Sequence, residues 1–261
     1  PDLGSRNRHK MPRYKLIVEY DGTPFAGWQR QTNAPSVQGT LEEAIFAFSG
    51  ERVSIIAAGR TDTGVHARGQ CVHFDLAKEF PSGTVRDALN AHLRPAPISV
   101  LFADDAAREF HARFDAIKRH YLYRIIWRKG PLSLDRNRAW WVPYELDIAA
   151  MRRAAESLVG THDFTTFRAA QCQANSPVKT LDDVRIDLAG EELTLQFSAR
   201  SFLHSQVRSM TGSLIHVARG KWAPDEMRSA LEACDRTRCG PLAPPDGLYL
   251  MRADYPGGEA K

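Results

Sequence analysis

Alternation between apolar and polar positions predicts strands and two helices in the first half of the chain. Residues 14–20 alternate with a period of two, which is typical of a half-buried strand. A helix is predicted over 37–48, because apolar residues recur every three or four positions and Ser36 can cap the first turn. Strands at 53–58, 71–75 and 98–103 and a helix from Ser82 or Thr84 to Leu93 complete this half. The resulting βαββαβ order is that of a ferredoxin-like lobe.

A related order of elements follows in the second half. Residues 120–127 are strongly β-prone, and Asp147 can cap a helix over 148–159 that Gly160 ends. Further elements are a hairpin of 184–188 and 193–199 across Gly190, a helix over 201–217, a helix from Pro224 to Cys234, and a strand over 248–251. We therefore expect an α+β protein made of two ferredoxin-like (RRM-like) lobes with largely antiparallel sheets.

The predicted domain limits follow from these elements. The N-terminal lobe covers 13–110 and the C-terminal lobe covers 111–256, ahead of a short tail at 257–261. Residues 1–12 are polar, and we expect them to form a disordered arm or to be residues added for expression.

Composition narrows the class of protein without identifying it. The net charge of +4 favours a polyanionic partner such as nucleic acid, although a mildly basic surface is common. The four cysteines are scattered and form no CxxC pair, which predicts a reduced, cytoplasmic protein without disulfides or structural zinc. No apolar run approaches the roughly 20 residues that span a bilayer.

The segment GRTDTGVHARGQ, residues 59–70, is the first candidate for chemistry. Asp62 lies in a glycine-bracketed turn between two predicted core strands, two residues after Arg60. An aspartate in a turn often only caps backbone N–H groups, but an ionised carboxylate beside a cation can also act as a nucleophile. A metal-dependent hydrolase that uses Asp62, His66 and His73 is an alternative, although no recognised ligand spacing is present.

Two later segments add an aromatic pair and an arginine. Tyr121 and Tyr123 share one face of a strand directly after three basic residues, which suits stacking on RNA bases but also suits core packing. Arg208 stands beside the apolar stripe of a predicted helix, where a guanidinium needs an anionic partner unless its side chain extends to solvent. A non-catalytic RNA-binding protein is a second alternative, but the sequence has no RNP1 pattern.

Taken together, these segments resemble the tRNA pseudouridine synthase A (TruA) family. Residues 59–70 resemble the family signature, 118–123 its second motif and 201–212 its third, and the likeness extends to 20–29, 36–42 and 246–250. The resemblance implies a pseudouridine synthase-like fold with the active-site cleft between its lobes. It further implies isomerisation of uridine to pseudouridine at positions 38, 39 and 40 of the tRNA anticodon stem-loop.

The same resemblance assigns roles to individual residues. Asp62 would be the nucleophile, Arg208 would pair with it, and Tyr121 would lie against the target base. We also expect Arg60, His66 and Gln70 to contact the substrate. The family likeness implies a homodimer that binds tRNA and uses no cofactor and no metal, while Ser205 departs from the histidine expected at its position.

Overall fold

The computed structural model describes residues 11–257 as a mixed α+β structure around a ten-stranded, largely antiparallel sheet. The expected arm at 1–12 and tail at 257–261 lie mostly outside these residues. The strands are β1 (Arg13–Tyr20), β2 (Ile56–Ala57), β3 (His66–Asp75), β4 (Ile98–Ala106), β5 (Lys118–Trp127), β6 (Trp140–Val142), β7 (Gly160–Asp163), β8 (Val178–Ala189), β9 (Glu192–Ala199) and β10 (Leu248–Asp254). The helices are α1 (Val37–Ser49), α2 (Ser82–Leu93), α3 (Ile148–Glu156), α4 (Gln206–Ala218) and α5 (Pro224–Glu232).

The two halves of the chain share a core strand order, and the second half has two additional strands, β6 and β7. The sheet runs β4-β1-β3-β10-β5-β9-β8-β7, with β2 paired to β3 and β6 paired to β5. In each half the last strand lies beside the first, at β4-β1 and at β10-β5. The parallel pairing of β10 with β3, with Tyr249 opposite His66, joins the halves into one sheet. The sheet therefore continues across the predicted boundary at 110/111.

The strands around the 59–70 segment differ from the pattern-based prediction. β3 begins at His66 instead of at 71, because its early residues already pair with β1, Gln70 lying opposite Val18. The strand predicted over 53–58 is reduced to Ile56–Ala57. One reason is that the backbone N–H of Ile55 donates to the Glu42 side chain (3.1 Å) rather than to a neighbouring strand.

The helices agree with the prediction at some ends and not at others. The Ser36 cap of α1 is confirmed, since its side chain accepts from the N–H of Gly39, and Gly50 ends the helix in a left-handed conformation. The helix expected from 201 begins only at Gln206, because Ser205 has a left-handed backbone with φ of 59°. Residues 201–205 are therefore a loop. α3 and α5 end a few residues earlier than predicted, and neither β6 nor β7 was predicted.

Two large hydrophobic cores lie along the sheet, one in each half, and a smaller buried cluster includes Cys71 and Tyr255. The first is formed by β1, β3 and β4 with α1 and α2, and the second by β5, β8 and β9 with α3, α4 and α5. Tyr121 on β5 packs against both cores, which places it where the two halves meet. Within residues 11–257 no helix combines the length and apolar character that crossing a membrane requires.

Candidate active site

The loop that carries Asp62 connects β2 to β3, and residues of β1 and of the loop after β1 contact it. Thr61 is buried, its hydroxyl hydrogen-bonds that of Tyr20 (2.8 Å), and its carbonyl accepts from the N–H of Trp28 (3.0 Å). Gly22 lies so close to the loop that a Cβ there would overlap the carbonyl oxygen of Val65. These contacts anchor the residues on either side of Asp62 and leave its carboxylate partly exposed.

Three side chains from the second half of the chain contact the Asp62 carboxylate. Its Oδ2 accepts a hydrogen bond from the Ser205 hydroxyl (2.8 Å) and one from Nη1 of Arg208 (3.2 Å). Its Oδ1 lies 3.2 Å from Nε2 of His204. The exposed fractions of the Asp62 and Arg208 side chains are 18% and 14%, so this ion pair is largely shielded from water. The structure thus brings Asp62 and Arg208 together, as the family resemblance implies.

Backbone contacts hold the Arg208 guanidinium in place. Its Nε donates to the carbonyl of Ala243 (2.9 Å), and the Ala243 N–H donates back to the Arg208 carbonyl (3.2 Å). The segment that contains Ala243 crosses α4 at Gly212, where a Cβ would overlap the carbonyl oxygen of Pro241. A glycine at this point of α4 is what allows the segment to approach closely enough to orient Arg208.

Tyr121 lies beside the Asp62 loop. Its ring meets Phe202 edge to face (centroids 5.0 Å apart), and a Cβ built on Gly59 would lie 3.7 Å from its hydroxyl oxygen. Burial raises the pKa of Tyr121 above its ordinary value, and the negative charge of Asp62 raises it further. The phenol is therefore neutral at physiological pH, so it can stack and hydrogen-bond but does not provide a phenolate base.

Arg119, one of the three basic residues before Tyr121, connects the two loops that form the site, a role that was not predicted from the sequence. It is buried, and its guanidinium makes five hydrogen bonds of 2.6–3.2 Å to the carbonyls of Ala58, Arg113, Ala116 and Arg200. Ala58 precedes the Asp62 loop, and Arg200 precedes the loop that carries His204 and Ser205. One sequence feature could have identified Arg119: it lies two residues before Tyr121 and therefore on the same face of the strand as Tyr121 and Tyr123.

The remaining predicted site residues have different surroundings. Arg60 is exposed, and no hydrogen bond or ion pair is found for it within residues 11–257. His66 is only 2% exposed; its Nδ1 accepts from the N–H of Gly22 (3.0 Å), and its Nε2 lies 3.2 Å from the Asp246 carbonyl. Gln70 is fully buried and hydrogen-bonds the backbone of Gly59. His66 and Gln70 thus lie in β3 with buried side chains whose hydrogen bonds support the loops around Asp62. Contact of Arg60, His66 and Gln70 with the substrate stays a prediction.

The ligand set of the metal-hydrolase alternative does not assemble. His73 is buried, its Nδ1 accepts from the N–H of Ala112 (3.0 Å), and its ring meets that of His111. Burial, with the nearby positive charge of Arg13, lowers the pKa of His73 to about 4. Asp62, His66 and His73 are therefore in three separate environments. Across residues 11–257 no three His, Cys, Asp or Glu side chains cluster closely enough to hold a metal ion.

Comparisons with known proteins agree on one family. A family model described as tRNA pseudouridine synthase matches residues 16–115 and 154–256. The chain is 59% identical over 245 residues to a protein of Afipia carboxidovorans named tRNA pseudouridine synthase A, covering 94% of this chain and 100% of that one. It is 58% identical over 247 residues to proteins of the same name from Rhizobium meliloti (94% and 100% covered) and Maricaulis maris (95% and 99% covered).

Proposed function

The chain belongs to the tRNA pseudouridine synthase family, and from this membership we propose that it isomerises uridine to pseudouridine in tRNA, with Asp62 as nucleophile. The expected targets are positions 38, 39 and 40 of the anticodon stem-loop, as the resemblance of its motifs implies. One observation carries the assignment to this site: the carboxylate in the family signature is contacted by an arginine, a serine and a histidine from the opposite half of the chain.

The reaction is balanced without an oxidant, a reductant or a group donor. The bond between N1 and C1′ breaks, a bond between C5 and C1′ forms, the hydrogen on C5 leaves as a proton, and N1 takes up a proton. A carboxylate oxygen of Asp62 supplies an electron pair to ribose C1′ or to uracil C6, and that bond breaks again before the product leaves. We therefore propose that the enzyme needs neither a cofactor nor a metal.

The neighbouring residues suit supporting roles in this chemistry. Arg208 orients Asp62 through a charge-assisted hydrogen bond. The neutral phenol of Tyr121 offers a ring against which the everted uracil can stack, which is worth roughly 1–3 kcal/mol per base. Eversion of the base costs a few kcal/mol. The exposed Arg60 can offset part of this cost by filling the space left in the stack and by contacting phosphate.

Family membership is also the basis on which we propose the lobe architecture, the oligomeric state and the location of the protein. The matching strand orders of the two halves support two ferredoxin-like lobes, and the meeting of Asp62 with Arg208 supports an active-site cleft between them. The net charge of +4 is consistent with tRNA binding. A homodimer and a cytoplasmic location follow from the family likeness.

The decisive experiment is tritium release from C5-labelled uridine in a tRNA transcript. The wild-type protein should release tritium in multiple turnovers, whereas Asp62→Asn and Asp62→Ala should release none while still binding the transcript. Deamidation of the asparagine variant is excluded by mass spectrometry. Turnover by an intact Asp62→Asn protein would refute the nucleophile, and a wild-type protein that releases no tritium would refute the function.

A further inference from the structure

The two oxygens of the Asp62 carboxylate have different partners. Oδ2 accepts from the Ser205 hydroxyl (2.8 Å) and from Arg208 (3.2 Å), and the Arg208 side chain is only 14% exposed. Within residues 11–257, Oδ1 is approached only by His204 (3.2 Å), whose side chain is 40% exposed. A carboxylate oxygen has about two lone-pair positions. Among the described residues, Oδ2 has two hydrogen-bond donors, whereas Oδ1 has one contact, which comes from a partly exposed histidine side chain.

Ser205 has an unusual conformation for the residue before a helix. A serine at this position ordinarily has an extended backbone, and its hydroxyl accepts from an N–H of the first helical turn. Ser205 instead has a left-handed backbone with φ of 59°, and its side chain makes no capping hydrogen bond. A left-handed backbone is costly for residues other than glycine and, to a lesser degree, asparagine and aspartate. The hydroxyl donates across the site to Asp62 instead of capping α4.

We infer from this geometry that Ser205 is a positioning residue that holds Oδ2 of Asp62 and thereby leaves Oδ1 as the attacking atom. The inference rests on the proposed function. In the covalent step an Oδ1 lone pair forms the C–O bond, either to C1′ as the C1′–N1 bond breaks and its electron pair goes to N1, or to C6 as the π pair of C5=C6 shifts toward C5. The pair returns to Oδ1 when the C–O bond breaks. Ser205 and Arg208 keep their hydrogen bonds to Oδ2 throughout, while His204 moves aside to admit the nucleoside.

Three substitutions at position 205 separate the hydroxyl from the backbone conformation. Ser205→Gly removes the hydroxyl and accepts the left-handed backbone without strain. Ser205→Ala removes the hydroxyl and retains the strain. Ser205→Asn tolerates the left-handed backbone and supplies an amide N–H that can donate to Asp62. The assay is tritium release from the C5-labelled transcript under saturating and limiting RNA, with the thermal midpoint measured for each protein.

Loss of the hydrogen bond should lower kcat and leave tRNA binding unchanged. We expect kcat of the glycine and alanine variants to fall by about tenfold or more, with KM within about twofold of wild type, because hydrogen bonds to charged groups are strong. Asparagine should restore kcat to within about threefold. A purely structural serine predicts the opposite order, in which the glycine variant is the most stable and fully active, and that result would overturn the inference.

A variant at position 204 tests which oxygen attacks. His204→Ala removes the contact to Oδ1 and should lower kcat less than Ser205→Gly does. A larger loss for His204→Ala would overturn the assignment of Oδ1. The proposed function is judged separately by the wild-type protein: if it releases no tritium, that function fails and the inference fails with it. If it turns over and Ser205→Gly does too at the same rate, only the inference fails.

Discussion

Arg119→Lys tests whether one buried guanidinium holds both loops of the active site in register. Arginine has five N–H donors in a planar fork, and all five hydrogen bonds of Arg119 go to main-chain carbonyls on four separate residues. A lysine at this position keeps the charge but has only three donors on one nitrogen. At least two of the five hydrogen bonds must therefore be lost.

The size of the effect follows from that difference. Hydrogen bonds that involve a charged group are worth about 1.5–3 kcal/mol each, so the loss of two lowers the free energy of unfolding by about 3 kcal/mol or more. For a chain of this length, that corresponds to a fall in the thermal midpoint of about 6–12 °C. Because the carbonyls of Ala58 and Arg200 lead into the two loops around Asp62, we also expect kcat to fall by at least about tenfold.

Thermal unfolding and tritium release measure the two effects separately. Arg113→Ala is the matched control, because Arg119 contacts the carbonyl of Arg113 and not its exposed side chain, so its thermal midpoint should equal that of wild type. A further variant, Arg119→Ala, lacks the guanidinium group altogether. Guanidinium chloride added at a low, non-denaturing concentration can supply that group and should partly restore kcat in this variant. A lysine variant that melts within a degree of wild type and has an unchanged kcat would refute this account of Arg119.

Three further predictions concern other parts of the structure. Arg208→Lys should fold but lower kcat by about ten- to a hundredfold, since one ammonium does not reproduce the planar fork toward Asp62 and Ala243; an unchanged kcat in tritium release would contradict this. Gly212→Ala should displace the segment at Pro241 and lower both the thermal midpoint and kcat. Gly83→Ala is the control in the same assays, because a Cβ at Gly83 meets no atom within 4 Å. Burial lowers the pKa of His73 to about 4 in the folded protein, against 6.5 in the unfolded chain, so the unfolded chain binds the proton first as the pH falls. Urea titrations should therefore show that the free energy of unfolding decreases by up to about 3 kcal/mol between pH 6.5 and 4. His73→Gln should flatten that decline, and an equally steep decline in the variant would contradict the assignment.

The α+β class and most elements could be predicted from the sequence because both depend on local patterns. The period of apolar residues distinguishes strands from helices within a few positions, and the Ser36 cap is a short-range interaction within one turn. Asp62, Arg208 and Tyr121 could be chosen because residue type, neighbouring charges and family likeness are all readable along the chain. The closeness of Asp62 and Arg208 is a geometric fact of the structure, whereas their catalytic roles stay predictions.

Other features depend on contacts between residues far apart in the chain, and only the tertiary structure decided them. His66 and Gln70 carry the polar character of a binding turn, yet the pairing of β3 with β1 and β10 turns them into the interior. Ser205 leaves the helical pattern because its hydroxyl has a partner 143 residues earlier in the chain. Arg119 gains its importance from four carbonyls that only folding brings together. A sequence pattern predicts which side of a helix or strand is buried, but the atoms that contact that side are determined by the tertiary structure.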